Sequence, residues 1–232
     1  MFGLFYYDWT ILIVLPAFIF SIWAQISVNS TFEKYSKKQT RRGITGADAA
    51  RRVLNENGLY DVRIENIRGN LNDHYDPREN VIRLSDSVYG STSAAAVGVA
   101  CHEAGHAVQH AKGYFPIKVR SAVIPMTRFG SMLAIPLFMI GLIFATDALM
   151  LGGILLYAVV AFFQFVTLPV EFNASSRAME AIRSSGMLTN DEYEGAKKVL
   201  TAAAMTYVAA LATSLLTLFR LLLLANGRNN RR

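Results

Sequence analysis

Two histidines four residues apart, with a glutamate directly after the first, make His102-Glu103-Ala104-Gly105-His106 the segment of this chain with the clearest chemistry. On an α-helix, residues four apart share a face, so the two imidazoles can converge on one metal ion while Glu103 flanks it about 100° further round. Such a set suits hydrolysis. A zinc ion polarises a carbonyl and acidifies a water, and a carboxylate that does not ligate takes the water's proton and hands it to the leaving amine. Only four histidines occur in the chain, and two of them fall here, which makes a helix of ordinary hydrogen-bonded histidines the weaker reading.

A catalytic zinc normally takes three protein ligands and keeps one position open. The candidates for the third are His110, His74 and an acidic residue later in the chain. His110 repeats the four-residue step but stands about 12 Å of helix rise from His102, too far for one tetrahedral centre, so it is assigned to support or to the core. Glu171 is more attractive because it follows a long uncharged run directly, in Val170-Glu171-Phe172-Asn173-Ala174-Ser175-Ser176-Arg177-Ala178. Cys101 precedes His102 but diverges from it by about 100° on a helix, and reads as a small buried residue.

The elements that must position these groups are legible in part. Ser91, Thr92 or Ser93 can cap a helix that the alanine-rich run sustains to Lys112-Gly113, carrying the histidines. Thr45 with Asp48 three residues on predicts a second capped helix ending at Asn57-Gly58. Val62 and Ile64 alternate with Arg63 and Glu65, and residues 80–84 form another β-rich run; the two are expected to pair antiparallel, with turns at Gly69-Asn70 and Asn72-Asp73. Zinc peptidases commonly take an extended peptide along a strand edge, so the 80–85 strand is a candidate substrate platform, with Asn80 and Arg83 as candidate peptide contacts.

Composition sets the surroundings of this lobe. Of 232 residues, 53% are hydrophobic and only 17% charged, outside the soluble balance. Uncharged runs cover residues 9–32, 129–146, 148–170 and 200–219, each long enough for a bilayer crossing of about 20 residues. The first is read as an anchor rather than a cleaved signal, since the only charge before it is Asp8 and no small-residue cleavage site follows; Pro16 could kink it. Arg128 is placed at the interface, with the hydrocarbon segment starting at Phe129. Lys34, Lys37, Lys38, Arg41 and Arg42 after the first run put that loop in the cytoplasm, although Arg220, Arg228, Arg231 and Arg232 near the other terminus pull against the same orientation. The net charge of +6 is scattered beside apolar runs and forms no basic groove, so a nucleic-acid partner is excluded. One cysteine excludes an internal disulfide.

The metal-binding helix, the apolar hairpin and the later glutamate segment resemble the HtpX-type and CAAX-protease-type membrane gluzincins. The nearer resemblance is to the YugP-like neutral zinc metallopeptidases of bacterial membranes, carried by Asp73-His74-Tyr75-Asp76-Pro77, Val81-Ile82-Arg83-Leu84-Ser85 and Cys101 through His110. That resemblance implies Glu171 as third zinc ligand, on a second helix. An aspartate commonly follows the alanine in the broader pattern and supports a ligating histidine; Ser175 stands there instead. The support is then expected from Asp76 or His74, which are equally open to contacting substrate, as are Asn173 and Arg177.

The expected fold is a mainly α membrane protein: four transmembrane helices with a small α+β zincin-like (gluzincin) catalytic lobe. Its parts are an N-terminal crossing at 1–28, a cytoplasmic lobe at 29–120, a transmembrane hairpin at 121–170, a third-ligand segment at 171–199, a last crossing at 200–225 and a frayed tail at 226–232. The expected activity is zinc endopeptidase, one Zn²⁺ per chain, acting on membrane or membrane-associated polypeptides at the bilayer of a bacterial cell. Two rivals are a zinc-binding inactive homologue serving as a scaffold, which intact Glu103 disfavours, and a metal transporter, disfavoured because the middle of each run carries no ionisable group.

Overall fold

The computed structural model describes residues 9–229. In chain order it contains α1 (Ile11–Ser36), α2 (Gly46–Glu56), β1 (Arg63–Ile67), β2 (His74–Asp76), β3 (Val81–Ser85), α3 (Ala94–Ala111), α4 (Phe115–Ile143), α5 (Asp147–Ser184) and α6 (Asn190–Asn229). The chain divides into two compact units. One takes the chain before Ala24, Val119–Leu168 and the chain from Tyr207 onward; the other takes Ala24–Lys118 and Pro169–Thr206.

In the first unit, α1, α4, α5 and α6 contribute four helices long and apolar enough to cross a membrane. Leu12, Ile19 and Trp23 of α1 and Met132, Leu151 and Phe165 of the hairpin each leave around half or more of their surface exposed, as lipid-facing side chains must. Helix contacts here rely on small residues and polar groups. A Cβ on Gly153 would lie 2.7 Å from the Ala134 carbonyl, so α4 and α5 approach to backbone distance. Ser21 and Thr213 hydroxyls meet at 3.1 Å between α1 and α6. Pro16, Pro125 and Pro136 sit within continuous helices, and Arg128 is exposed on α4, which begins well before the apolar run. The 226–232 tail expected to fray is helical through Asn229; its last three residues, like Asp8, lie outside the described residues.

The second unit packs α2 and α3 with the sheet and the lobe-side turns of α5 and α6 around one core that includes Leu54, Ile82, Leu84, Val97, Ile182 and Met187. Local chemistry sets the helix ends. Thr45 caps α2, its hydroxyl accepting from the Asp48 N–H at 3.1 Å while the Asp48 carboxylate reaches back to the Thr45 N–H, and Gly58 takes the left-handed φ of +73° that stops it. Ser93 caps α3 by accepting from the Ala96 N–H at 3.2 Å. Sheet topology departs from expectation. The order is β1-β3-β2, with β1 parallel to β3 and β2 antiparallel to it. Residues 74–76 form the strand that completes the reversal, a short segment hidden among turn residues, and this leaves β1 and β3 joined by a crossover. Position 80 is explained by the β2–β3 turn: Asn80 has a φ of +52°, which asparagine tolerates better than most residues.

Candidate metal centre

Helix α3 is buried on almost every side, and its glycines decide how closely its neighbours come. A Cβ on Gly98 would meet the Ala196 side chain of α6 at 3.1 Å; one on Gly105 would lie 2.8 Å from the Ala174 carbonyl oxygen of α5. That second distance is shorter than real Cβ contacts allow, so only glycine permits the α3–α5 crossing at this depth. The crossing carries Glu171, only 2% exposed, to the two imidazoles. Its Oε2 lies 3.3 Å from His102 Nε2 and 3.5 Å from His106 Nε2, and the three ligand atoms all fall within 4.8 Å of one another.

These distances can be tested against a metal. A tetrahedral zinc with bonds of about 2.0–2.1 Å spaces its ligand atoms about 3.3 Å apart, and the two imidazole–carboxylate separations match that spacing. The donor set of two nitrogens and one carboxylate oxygen is also a catalytic zinc set that leaves a fourth position open. The residues fit the ion.

Each imidazole is held through its other nitrogen. Ser175 Oγ lies 3.1 Å from His102 Nδ1, so the residue read as a lost support is itself the support, and a hydroxyl replaces the carboxylate of the broader pattern. Gln109, fully buried, places Oε1 at 3.0 Å from His106 Nδ1. Its amide nitrogen donates to the Val170 carbonyl at 2.8 Å and to Asn173 Oδ1 at 3.0 Å, and Asn173 Oδ1 also accepts from Arg177 Nε at 2.8 Å. Burial opposes charging of His106, but bonding to Glu171 and the charges of Glu103 and Glu171 outweigh it, and its pKa lies above the ordinary imidazole value. Glu103 is 8% exposed and belongs to no ligand set here, as its place on the helix predicts.

The sheet sorts the remaining candidates by parity. Tyr75, Ile82 and Leu84 pack on the core, Ile82 and Leu84 fully buried, and the Tyr75 ring stands 5.5 Å from that of His110. His74, Asp76 and Arg83 alternate to the other face. His74 is exposed and meets the Asn72 carbonyl through Nδ1; Asp76 accepts from the Arg78 N–H and pairs with Arg83; Arg83 also pairs with Glu65 and Glu79. None of them reaches His102 or His106. Asn80 receives the Tyr75 hydroxyl. Strand β3 has a neighbour along each edge, so it offers no free edge to a peptide, and the substrate platform expected at residues 80–85 is withdrawn.

Sequence reasoning missed Gln109, whose signal was an amide three residues after His106 on a buried face, and Asp73. The Asp73 carboxylate accepts from the Ser85 N–H at 2.7 Å and from its hydroxyl. Burial raises its pKa against those bonds, with the nearby Glu103 charge adding to the rise. Cys101 is fully buried and faces the core cluster, not the imidazoles.

Residues 10–226 match the model of a family described as "Putative neutral zinc metallopeptidase". The protein described as "Putative membrane protease YugP" from Bacillus subtilis (strain 168) is 48% identical over 220 residues, covering 94% of this chain and 98% of that protein. No solved structure matches the chain. With the match running through nearly every element, from the first apolar helix to the last, the chain belongs to this neutral zinc metallopeptidase family.

Proposed function

We propose that the protein is an integral membrane zinc endopeptidase whose single Zn²⁺ is held by His102, His106 and Glu171, with Glu103 as the general base. The observation that carries this reading is the convergence of two imidazole nitrogens and one buried carboxylate oxygen at the spacing of zinc ligands. A bound zinc would supply Lewis-acid polarisation of a peptide carbonyl and acidify a water. The chain's own residues do the rest. Ser175 and Gln109 hold the imidazoles by Nδ1 so that Nε2 faces inward. Glu103, beside the ligands and outside their set, takes a proton from the attacking water and returns it to the leaving amine.

Substrate is proposed to lie in extended form along β2, the terminal strand of the sheet, with Asp73 and Tyr75 on the side of the strand that faces α3. Main-chain pairing at such an edge gives affinity without demanding a sequence, which suits an enzyme acting on varied membrane or membrane-associated polypeptides. The basic run that begins in the last turn of α1 and continues beyond it, exposed at Lys34, Lys37, Lys38, Arg41 and Arg42, supports a cytoplasmic lobe. The test is metal analysis of purified protein together with casein digestion by wild type and Glu103→Gln. One zinc per chain with digestion lost only in the variant supports the reading; digestion by Glu103→Gln equal to wild type overturns it.

A further inference from the structure

Four side chains in series, His106, Gln109, Asn173 and Arg177, with the Val170 carbonyl branching from the second, decide which nitrogen His106 turns inward. The Val170 carbonyl can only accept, so the Gln109 amide must present nitrogen to it at 2.8 Å. Its oxygen is thereby turned to His106 Nδ1 at 3.0 Å, and an acceptor there requires the proton on Nδ1, which in the neutral ring leaves the lone pair on Nε2. The second Gln109 N–H goes to Asn173 at 3.0 Å. An asparagine amide has two faces of opposite sense, and if its nitrogen faced Gln109, two donors would abut and push Gln109 off the imidazole. Arg177 prevents that. Its Nε has only a proton to offer, so the 2.8 Å bond to Asn173 holds the oxygen inward.

We propose that Arg177 is a positioning residue. Through Asn173 and Gln109 it fixes the orientation of two side-chain amides and thereby commits His106 to the Nδ1–H form, with Nε2 free for metal. Glu171, Asn173, Ser175 and Arg177 all lie on α5, so one helix supplies the third ligand, the partner of His102 and the outer end of the lock on His106. The inference rests on the zinc reading for its purpose but not for its detection. Asymmetry follows from it: His102 is held by one hydroxyl that can donate or accept, whereas His106 is held by a relay with only one consistent set of donors.

The experiment uses full-length protein in detergent, labelled with ¹⁵N-histidine, as wild type, Arg177→Met, Arg177→Lys, Asn173→Asp and the Asn173→Asp/Arg177→Met pair. Zinc-free samples at alkaline pH report the His106 tautomer from its ring nitrogen shifts; zinc affinity is read by competition with a chromophoric chelator. Arg177→Met should convert a single Nδ1–H form into a mixture and weaken zinc by about threefold to tenfold, less than the roughly 10- to 100-fold typical of a direct partner. Arg177→Lys should recover part of the loss. A carboxylate at position 173 has no wrong face, so within the Asn173→Asp background Arg177→Met should change neither readout by more than about twofold. A merely structural arginine would not be rescued in this way. A wild-type tautomer and affinity in Arg177→Met, or equal sensitivity in the Asn173→Asp background, would overturn the relay; if Arg177→Met fails to fold, the Asn173→Asp pair decides. Wild type that shows the Nδ1–H form but binds no zinc would instead overturn the peptidase reading and leave the relay standing.

Discussion

The α3–α5 crossing and the outer face of the sheet are both rich in charged and histidine side chains, yet they use them in opposite ways. At the crossing, Glu171 and two imidazoles point at one another from within the core. On the sheet, Arg83 is surrounded by Glu65, Asp76 and Glu79, and His74 faces out. Largely buried groups of one coordinating kind ask for an ion; partly exposed groups of mixed sign satisfy each other. The lesson is that a cluster becomes a site when its partners share the same need, not when its residue types are suggestive.

That contrast can be broken or sharpened by substitution. The largest effect is expected at the crossing, where Glu103→Gln should keep bound zinc near wild type in metal analysis while lowering turnover by about 10²- to 10⁴-fold, the usual worth of a general base. Glu171→Ala should weaken zinc by about 10-fold or more in chelator competition, because two neutral imidazoles then stand without their carboxylate. Gly105→Ala should destabilise the lobe by about 1–3 kcal/mol through overpacking against Ala174, and should lower zinc affinity as well, since the same crossing delivers Glu171; chemical denaturation and metal titration read the two effects separately. Ser175→Ala should cost zinc affinity less than Gln109→Leu, because losing the serine leaves one imidazole nitrogen without a partner, whereas the leucine also strands the Val170 carbonyl and Asn173. On the outer face His74→Ala should leave both zinc affinity and turnover within about twofold of wild type, as surface changes of this kind seldom exceed 0.5 kcal/mol.

The crossing was more legible than the sheet. A spacing of four on a capped, alanine-rich helix can mean only one face, and the caps at Thr45 and Ser93 were written in local residue types that the fold keeps. Glu171 could be located as a candidate by its place after an apolar run, but its selection came from the family resemblance, because no local rule says which distant carboxylate will reach a helix 65 positions earlier. Gly105 held that information silently: a glycine inside a helix marks a close approach, but not what approaches. The sheet failed by a single residue. His74 and Asp76 were expected to support the site or contact substrate, yet both turn away from α3, while Tyr75 and Asp73, just before the strand, lie on its side. Its pairing failed for a different reason, since a three-residue strand such as β2 is too short to show a period at all.

The chain's one cysteine has a practical consequence. Cys101 is sealed in the core, and burial pushes its thiol well above the ordinary cysteine range, so in the folded protein it neither forms a thiolate nor meets a reagent. Any cysteine introduced on the surface would therefore be the sole reactive sulfur, and the native sequence is already a background for single-site spin labels, fluorophores and crosslinkers. Labels along the run from Lys34 to Arg42, challenged with a membrane-impermeant maleimide, would report on which side of the bilayer the lobe resides without first engineering anything away.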